Sequence, residues 1–144
     1  MNSEQPACIA RHINHVGIAV RDIEETLAFY RDVFGAGGAE VVEQQDQGIL
    51  GALVTVGGTQ LEFLQPTDPD GTVARFIERR GEGMHHICFE VEDLQDKLDR
   101  LDARGVRLID KTPREGLSGM IAFLHPRSTR GVLIELVDQD TARR

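Results

Sequence analysis

The chain is short of cysteine, of long apolar runs and of positive charge. Its 144 residues hold two cysteines, Cys8 and Cys88. One pair gives no disulfide framework, and both read as free thiols of a reducing cytosol. No segment approaches the ~20 consecutive apolar residues that a membrane-spanning helix needs. The opening "MNSEQPACIA" lacks the basic stretch and the apolar run of a secretory signal. Lys and Arg number 16 against 24 Asp and Glu, a net charge of −8. That balance argues against nucleic-acid binding, which rests on neutralising phosphates, and against adsorption to an anionic membrane. It leaves room for an anionic small ligand held by local arginines. A cytoplasmic protein with one domain over 12–138 is expected, between an N-terminal tail at 1–11 and a C-terminal tail at 139–144.

What is present is a repeat. "HVGIAVRDIEETLAFYRDVFG" starts at His15 and "HICFEVEDLQDKLDRLDARG" at His86, an offset of 86 − 15 = 71 residues. "TQLEFLQ" carries Glu62 and "VLIELVD" carries Glu135, an offset of 135 − 62 = 73. Two features recurring at nearly one offset imply two βαβββ modules, at about 13–66 and 84–138. In the first, Asp22 with Glu25 three residues on reads as a helix cap. Ile23, Leu27, Tyr30 and Phe34 give a buried stripe, and Gly35 ends the helix. In the second, Asp93 caps, Leu94, Leu98 and Leu101 form the stripe, and Gly105 ends it. Further strands are expected at 39–45, 49–56, 59–65, 106–110, 120–124 and 132–137. A short linking helix is expected at about 73–80.

Strand alternation then sorts the polar residues. Val16, Ile18 and Val20 suit packing under a helix, which leaves His15 opposite. Ile87, Phe89 and Val91 share a face with His85, which leaves His86 opposite. By the same alternation Glu62 and Glu135 lie opposite the apolar residues of their strands. All four fall on the non-helix face of their strands. A curved sheet with helices outside gathers them into one concavity. Two imidazoles and two carboxylates suit one divalent cation, because they offer four donors and neutralise its charge. Without a cation, two carboxylates in a partly closed cavity would repel each other. His85, on the apolar face, is expected to be a packing or supporting neighbour. His12 and His125 are poor candidates as ligands. "PREGLSGM", at 113–120, reads as a connecting loop that could present N–H groups to an anion. Arg79 and Arg80 close the linking helix.

At these residues the sequence resembles the vicinal oxygen chelate superfamily (glyoxalases, bleomycin-resistance proteins and dioxygenases), and within it the methylmalonyl-CoA epimerases. The resemblance covers nearly all of 13–138 and is densest in "INHVGIAV", "GTVARFIERRGEGMHHICFEVEDL", "RGVRLID" and "AFLHPRSTRGVLIEL". It implies an α+β fold in which two tandem βαβββ modules form a U-shaped mixed sheet around one metal, helices on the outer face. It implies His15, Glu62, His86 and Glu135 as ligands of Co, Mn, Ni or Zn. It implies epimerisation of an acyl-CoA, with Glu135 transferring the proton on one face of the α-carbon and Glu62 or a water serving the other. Ser118, Gly119 and Arg114 would contact the substrate, and a homodimer is expected. Two departures stand out. Gly51 occupies the place of a second, non-ligand glutamate found in some epimerases. Met120 replaces a basic residue, in a loop one residue shorter. A bacterial glyoxalase I shares the His/Glu/His/Glu set and is the competing enzyme. An iron dioxygenase would want two His and one carboxylate with open positions, which a fourth ligand opposes. A non-catalytic binding module of the same fold would need no ligands.

Overall fold

The computed structural model describes residues 5–143. They form two compact units, His15–His86 and Ile87–Arg143, the latter joined by the residues up to Asn14. Each unit repeats one plan of strand, helix and three further strands, with mixed pairing. The α+β class and the paired modules are as expected.

In the first unit, β1 (His12–Ala19) leads to α1 (Ile23–Phe34), then β2 (Val42–Gln44), β3 (Ile49–Val56) and β4 (Thr59–Pro66). The strand order is β2-β3-β4-β1. Asp22 accepts a hydrogen bond from the Glu25 N–H at 3.0 Å, which satisfies one of the orphan donors of the first turn. Gly35, at φ 69°, returns its own N–H to the Arg31 carbonyl and ends the helix. Ile23, Leu27 and Tyr30 pack on Ile18, Val20, Ala52, Val54, Leu61 and Phe63. Phe34, expected in that stripe, is 67% exposed, because the helix ends there and its last turn overhangs the core.

The linking helix, α2 (Thr72–Arg80), departs from the expected placement of helices on the outer face. Its Val73 and Ile77 pack on Ala19, Ile49 and Leu64. On β1 and β4 these residues alternate in step with His15 and Glu62, so α2 covers the ligand face while α1 covers the other.

β5 (Gly83–Val91), whose residues up to His86 belong to the first unit, leads in the second unit to α3 (Leu94–Ala103), β6 (Arg114–Gly116), β7 (Gly119–Leu124) and β8 (Ile134–Asp138), in the order β5-β8-β7-β6. Leu94 and Leu98 of α3 are fully buried against Val91, Ala122, Leu124 and Leu136. The register repeats that of the first unit. Gly17 stands opposite Glu62 in the parallel β1–β4 pair, and Cys88 stands opposite Glu135 in the parallel β5–β8 pair.

Three local expectations are corrected. Residues 106–110 form no strand, only a bridge from Leu108 to Leu124. The Ile109 and His125 N–H groups bond to the Phe123 and Arg107 carbonyls, but the Asp110 carboxylate takes the Phe123 N–H at 2.9 Å, so the pairing stops at that bridge. The stretch around "REGLSGM" is a hairpin of β6 and β7 rather than a plain loop. The C-terminal residues 139–143 are docked on that hairpin: Arg143 donates to the carbonyls of Gly116, Leu117 and Ser118, and Thr141 accepts from the Met120 N–H. At the other terminus Cys8 packs against the α3 core, and the Arg11 N–H bonds to the Glu90 carbonyl. Both cysteines are free thiols, Cys88 buried and Cys8 partly so. Burial raises the Cys8 thiol above its ordinary value, opposed by the charge of Lys97.

Candidate metal centre

The centre is built on three strand positions of the first unit. His15 is fully buried in β1, Glu62 is 5% exposed in β4 and His86 is 6% exposed in β5. His15 Nε2 and His86 Nε2 face each other at 3.0 Å, their rings edge to face at 87°. Glu62 Oε1 lies 3.5 Å from His15 Nε2 and 3.3 Å from His86 Nε2. Ligands ~2.1 Å from a common ion stand about 3.0 Å apart at octahedral angles and about 3.4 Å apart at tetrahedral ones. The three donors are therefore already at ligand spacing. Glu135 of β8 is also buried, and His15, Glu62, His86 and Glu135 each offer one ligand atom within 4.8 Å of the others. Two neutral nitrogens and two anionic oxygens fit a divalent ion in charge and in hardness.

Burial alone would raise the Glu62 carboxyl. The charges and hydrogen bonds of His15 and His86 outweigh it and hold the carboxyl well below the usual carboxylate range. Glu62 is thus kept anionic, as a ligand must be.

Backbone shape makes room for His86. Gly17 lies directly beneath its imidazole: a Cβ there would stand 2.1 Å from Cε1, 2.3 Å from Nδ1 and 2.6 Å from Nε2. Only glycine permits that approach, and Gly17 is also the register partner of Glu62. Alternation of side chains did not single out Gly17; its place one strand-step from His15 was the only cue.

The remaining candidates fall elsewhere. His85 is partly buried, edge-on to Phe76 of α2 with ring centroids 4.9 Å apart. His12 pairs with Glu90 at 2.9 Å, and His125 accepts the Arg127 N–H in a turn after β7. Arg80 lies over the Phe76 ring at the end of α2. Arg114 holds Asp110 at 3.0 Å and lies over Phe123. Ser118 is buried at the hairpin turn, its hydroxyl without a hydrogen-bond partner, and Gly119 follows at φ 137°. Sequence reasoning missed Glu90, a carboxylate only 1% exposed that accepts from Asn14 at 2.9 Å. It alternates in step with His86 along β5, and the polar "HINH" at the start of β1 was the signal that a buried acid needed partners. Gly51 stands opposite Leu64 in the β3–β4 ladder, so it lies on the ligand face and offers no side chain to it.

Residues 14–123 match the glyoxalase/bleomycin resistance protein/dioxygenase superfamily. The methylmalonyl-CoA epimerase of Dictyostelium discoideum is 38% identical over 129 residues, which cover 88% of this chain and 78% of that protein. The ethylmalonyl-CoA/methylmalonyl-CoA epimerase of Cereibacter sphaeroides is 38% identical over 127 residues, 86% of this chain and 95% of that one. A solved structure of a Streptomyces coelicolor methylmalonyl-CoA epimerase variant, in complex with 2-nitronate-propionyl-CoA, superposes with a TM-score of 0.86 at 31% identity, over 94% of this chain and all (100%) of the other. With its paired modules and its His/Glu set, the chain belongs to the glyoxalase/bleomycin resistance protein/dioxygenase superfamily.

Proposed function

We propose that this protein interconverts (2R)- and (2S)-methylmalonyl-CoA by removing and returning the α-proton. One observation carries the reading: a buried set of two histidines and two glutamates within 4.8 Å of one another, in a chain 36–38% identical to named methylmalonyl-CoA epimerases. The substrate's α-carbon lies between a thioester carbonyl and a carboxylate, so its proton is weakly acidic. Removing it moves negative charge onto the thioester oxygen. His15, Glu62, His86 and Glu135 would hold one divalent ion, Co, Mn, Ni or Zn, whose charge offsets the charge that builds on the substrate.

The chain's own residues do the rest. Glu135 takes the proton from one face of the carbon while a proton is delivered to the opposite face, and in the reverse direction it is Glu135 that delivers. Glu62, the other buried carboxylate of the set, serves the opposite face, since Gly51 has no side chain with which to do so. Ser118, Gly119 and Arg114 lie on or beside the β6–β7 hairpin, and we assign substrate contact to that hairpin. The buried, unpartnered Ser118 hydroxyl supports this assignment. The protein is proposed to act as a single domain and a homodimer in the cytoplasm, without nucleic-acid or membrane partners. No helix among the described residues is long and apolar enough to cross a membrane.

The test has two steps. Metal analysis of the purified protein should find one divalent ion per chain. Incubation with methylmalonyl-CoA in deuterated water should then incorporate α-deuterium, read by mass. Exchange no faster than the spontaneous rate sinks the proposal, and turnover of the methylglyoxal–glutathione adduct would put a glyoxalase in its place.

A further inference from the structure

His86 turns one nitrogen towards the metal centre and the other away from it. Its Nε2 is the atom 3.0 Å from His15 and 3.3 Å from Glu62. Its Nδ1 lies 2.9 Å from Nδ1 of His85, the preceding residue, with the two rings edge to face at 85°. An imidazole that gives its Nε2 lone pair to a cation must carry its proton on Nδ1. Two ring nitrogens at 2.9 Å need one donor and one acceptor. With His86 donating, His85 has to accept, and so is neutral with its proton on Nε2.

The acceptor is itself held. The His85 ring stands edge-on to Phe76, and the Arg80 guanidinium lies 5.7 Å from the centre of the Phe76 ring on the same helix. That helix is anchored through Val73 and Ile77 on Ala19, Ile49 and Leu64. The unexpected placement of α2 on the ligand face therefore has a consequence for the centre. The helix fixes the ring that aims a ligand.

We propose that His85 is a positioning residue: it accepts the Nδ1–H of His86, fixes that tautomer and ring orientation, and so presents Nε2 to the cation. The inference rests on the metal centre of the proposed function. Outer partners of this kind commonly alter metal affinity 10–100-fold.

Two variants and one spectrum test it. His85→Phe keeps a flat ring against Phe76 but removes the acceptor. His85→Asn places a carbonyl oxygen near the position of the lost Nδ1. Zn²⁺ dissociation constants, measured by competition with a chromophoric chelator, should weaken about 10–100-fold in His85→Phe and recover most of that loss in His85→Asn. In the ¹⁵N spectrum of the Zn²⁺-loaded wild type, His86 should bind through Nε2 and carry hydrogen on Nδ1. Wild-type affinity in His85→Phe, no recovery in His85→Asn, or a His86 bound through Nδ1 each overturns the inference alone. The spectrum decides even where a variant fails to fold. A wild-type protein that takes up no divalent ion overturns the function reading as well.

Discussion

Replacing Gly17 with alanine isolates the geometry of the centre from its chemistry. The added Cβ would stand 2.1 Å from His86 Cε1. Ordinary contact needs ~3.4 Å or more, so the ring must retreat by roughly 1.3 Å. Ligand distances in a working metal site hold to about ±0.2 Å, so that retreat takes Nε2 out of range. The backbone is not at fault, because Gly17 is not among the positive-φ glycines. With no ring above it, alanine there would even stabilise slightly by restricting the unfolded chain. Overpacking of this kind costs about 1–3 kcal/mol, which in a chain of this size lowers Tm by roughly 2–12 °C. Metal affinity should fall by at least the ~10–100-fold seen on losing an outer partner, and α-deuterium exchange should fall with it. Gly58→Ala is the control: that glycine also lacks a positive φ, and a Cβ there meets nothing within 4 Å. Chelator competition, calorimetry and the exchange assay read the three effects. Wild-type affinity and exchange in Gly17→Ala would show that His86 does not have to lie where the structure places it.

Glu135→Gln should reduce exchange to the spontaneous rate while the chain stays folded; full activity by the mass assay would refute its role as a base. Ending the chain after Asp138 removes the Arg143 and Thr141 bonds to the β6–β7 hairpin. Amide exchange at 114–120 should accelerate and KM for the acyl-CoA should rise, with Zn²⁺ affinity unchanged; unchanged amide protection would mean that the hairpin holds its own shape. For Glu62 the folded carboxyl lies below its unfolded value of 4.5. The stabilisation is complete above pH 4.5 and is lost as pH falls from there through the folded value. Tm of the metal-free wild type should therefore fall more steeply below pH 4.5 than that of Glu62→Gln, and parallel curves would refute the depressed carboxyl.

Much of the plan was legible because it follows from periodicity. The Asp22 and Asp93 caps, the Ile23/Leu27/Tyr30 and Leu94/Leu98 stripes and the repeat of 71 and 73 residues are local patterns, and backbone geometry makes each one strict. The period of two placed His86 with His15 and Glu62, but it did not show that the His85 ring reaches Phe76 of α2 and comes within 2.9 Å of the His86 Nδ1. Where side chains compete with the ladder, the reading failed: Asp110 took the Phe123 N–H that a sixth strand at 106–110 would have used, and that strand formed instead at 114–116.

The sequence by itself determined which residue types could form the centre and on which strand faces they stand. Tertiary structure alone decided what surrounds them. That Gly17 leaves space under His86, that α2 crosses the ligand face to hold His85, and that residues 139–143 clasp the hairpin all depend on contacts between segments far apart in the chain. Strand period and helix caps carry information over a few residues; van der Waals clearance and long-range hydrogen bonds exist only once the chain has packed.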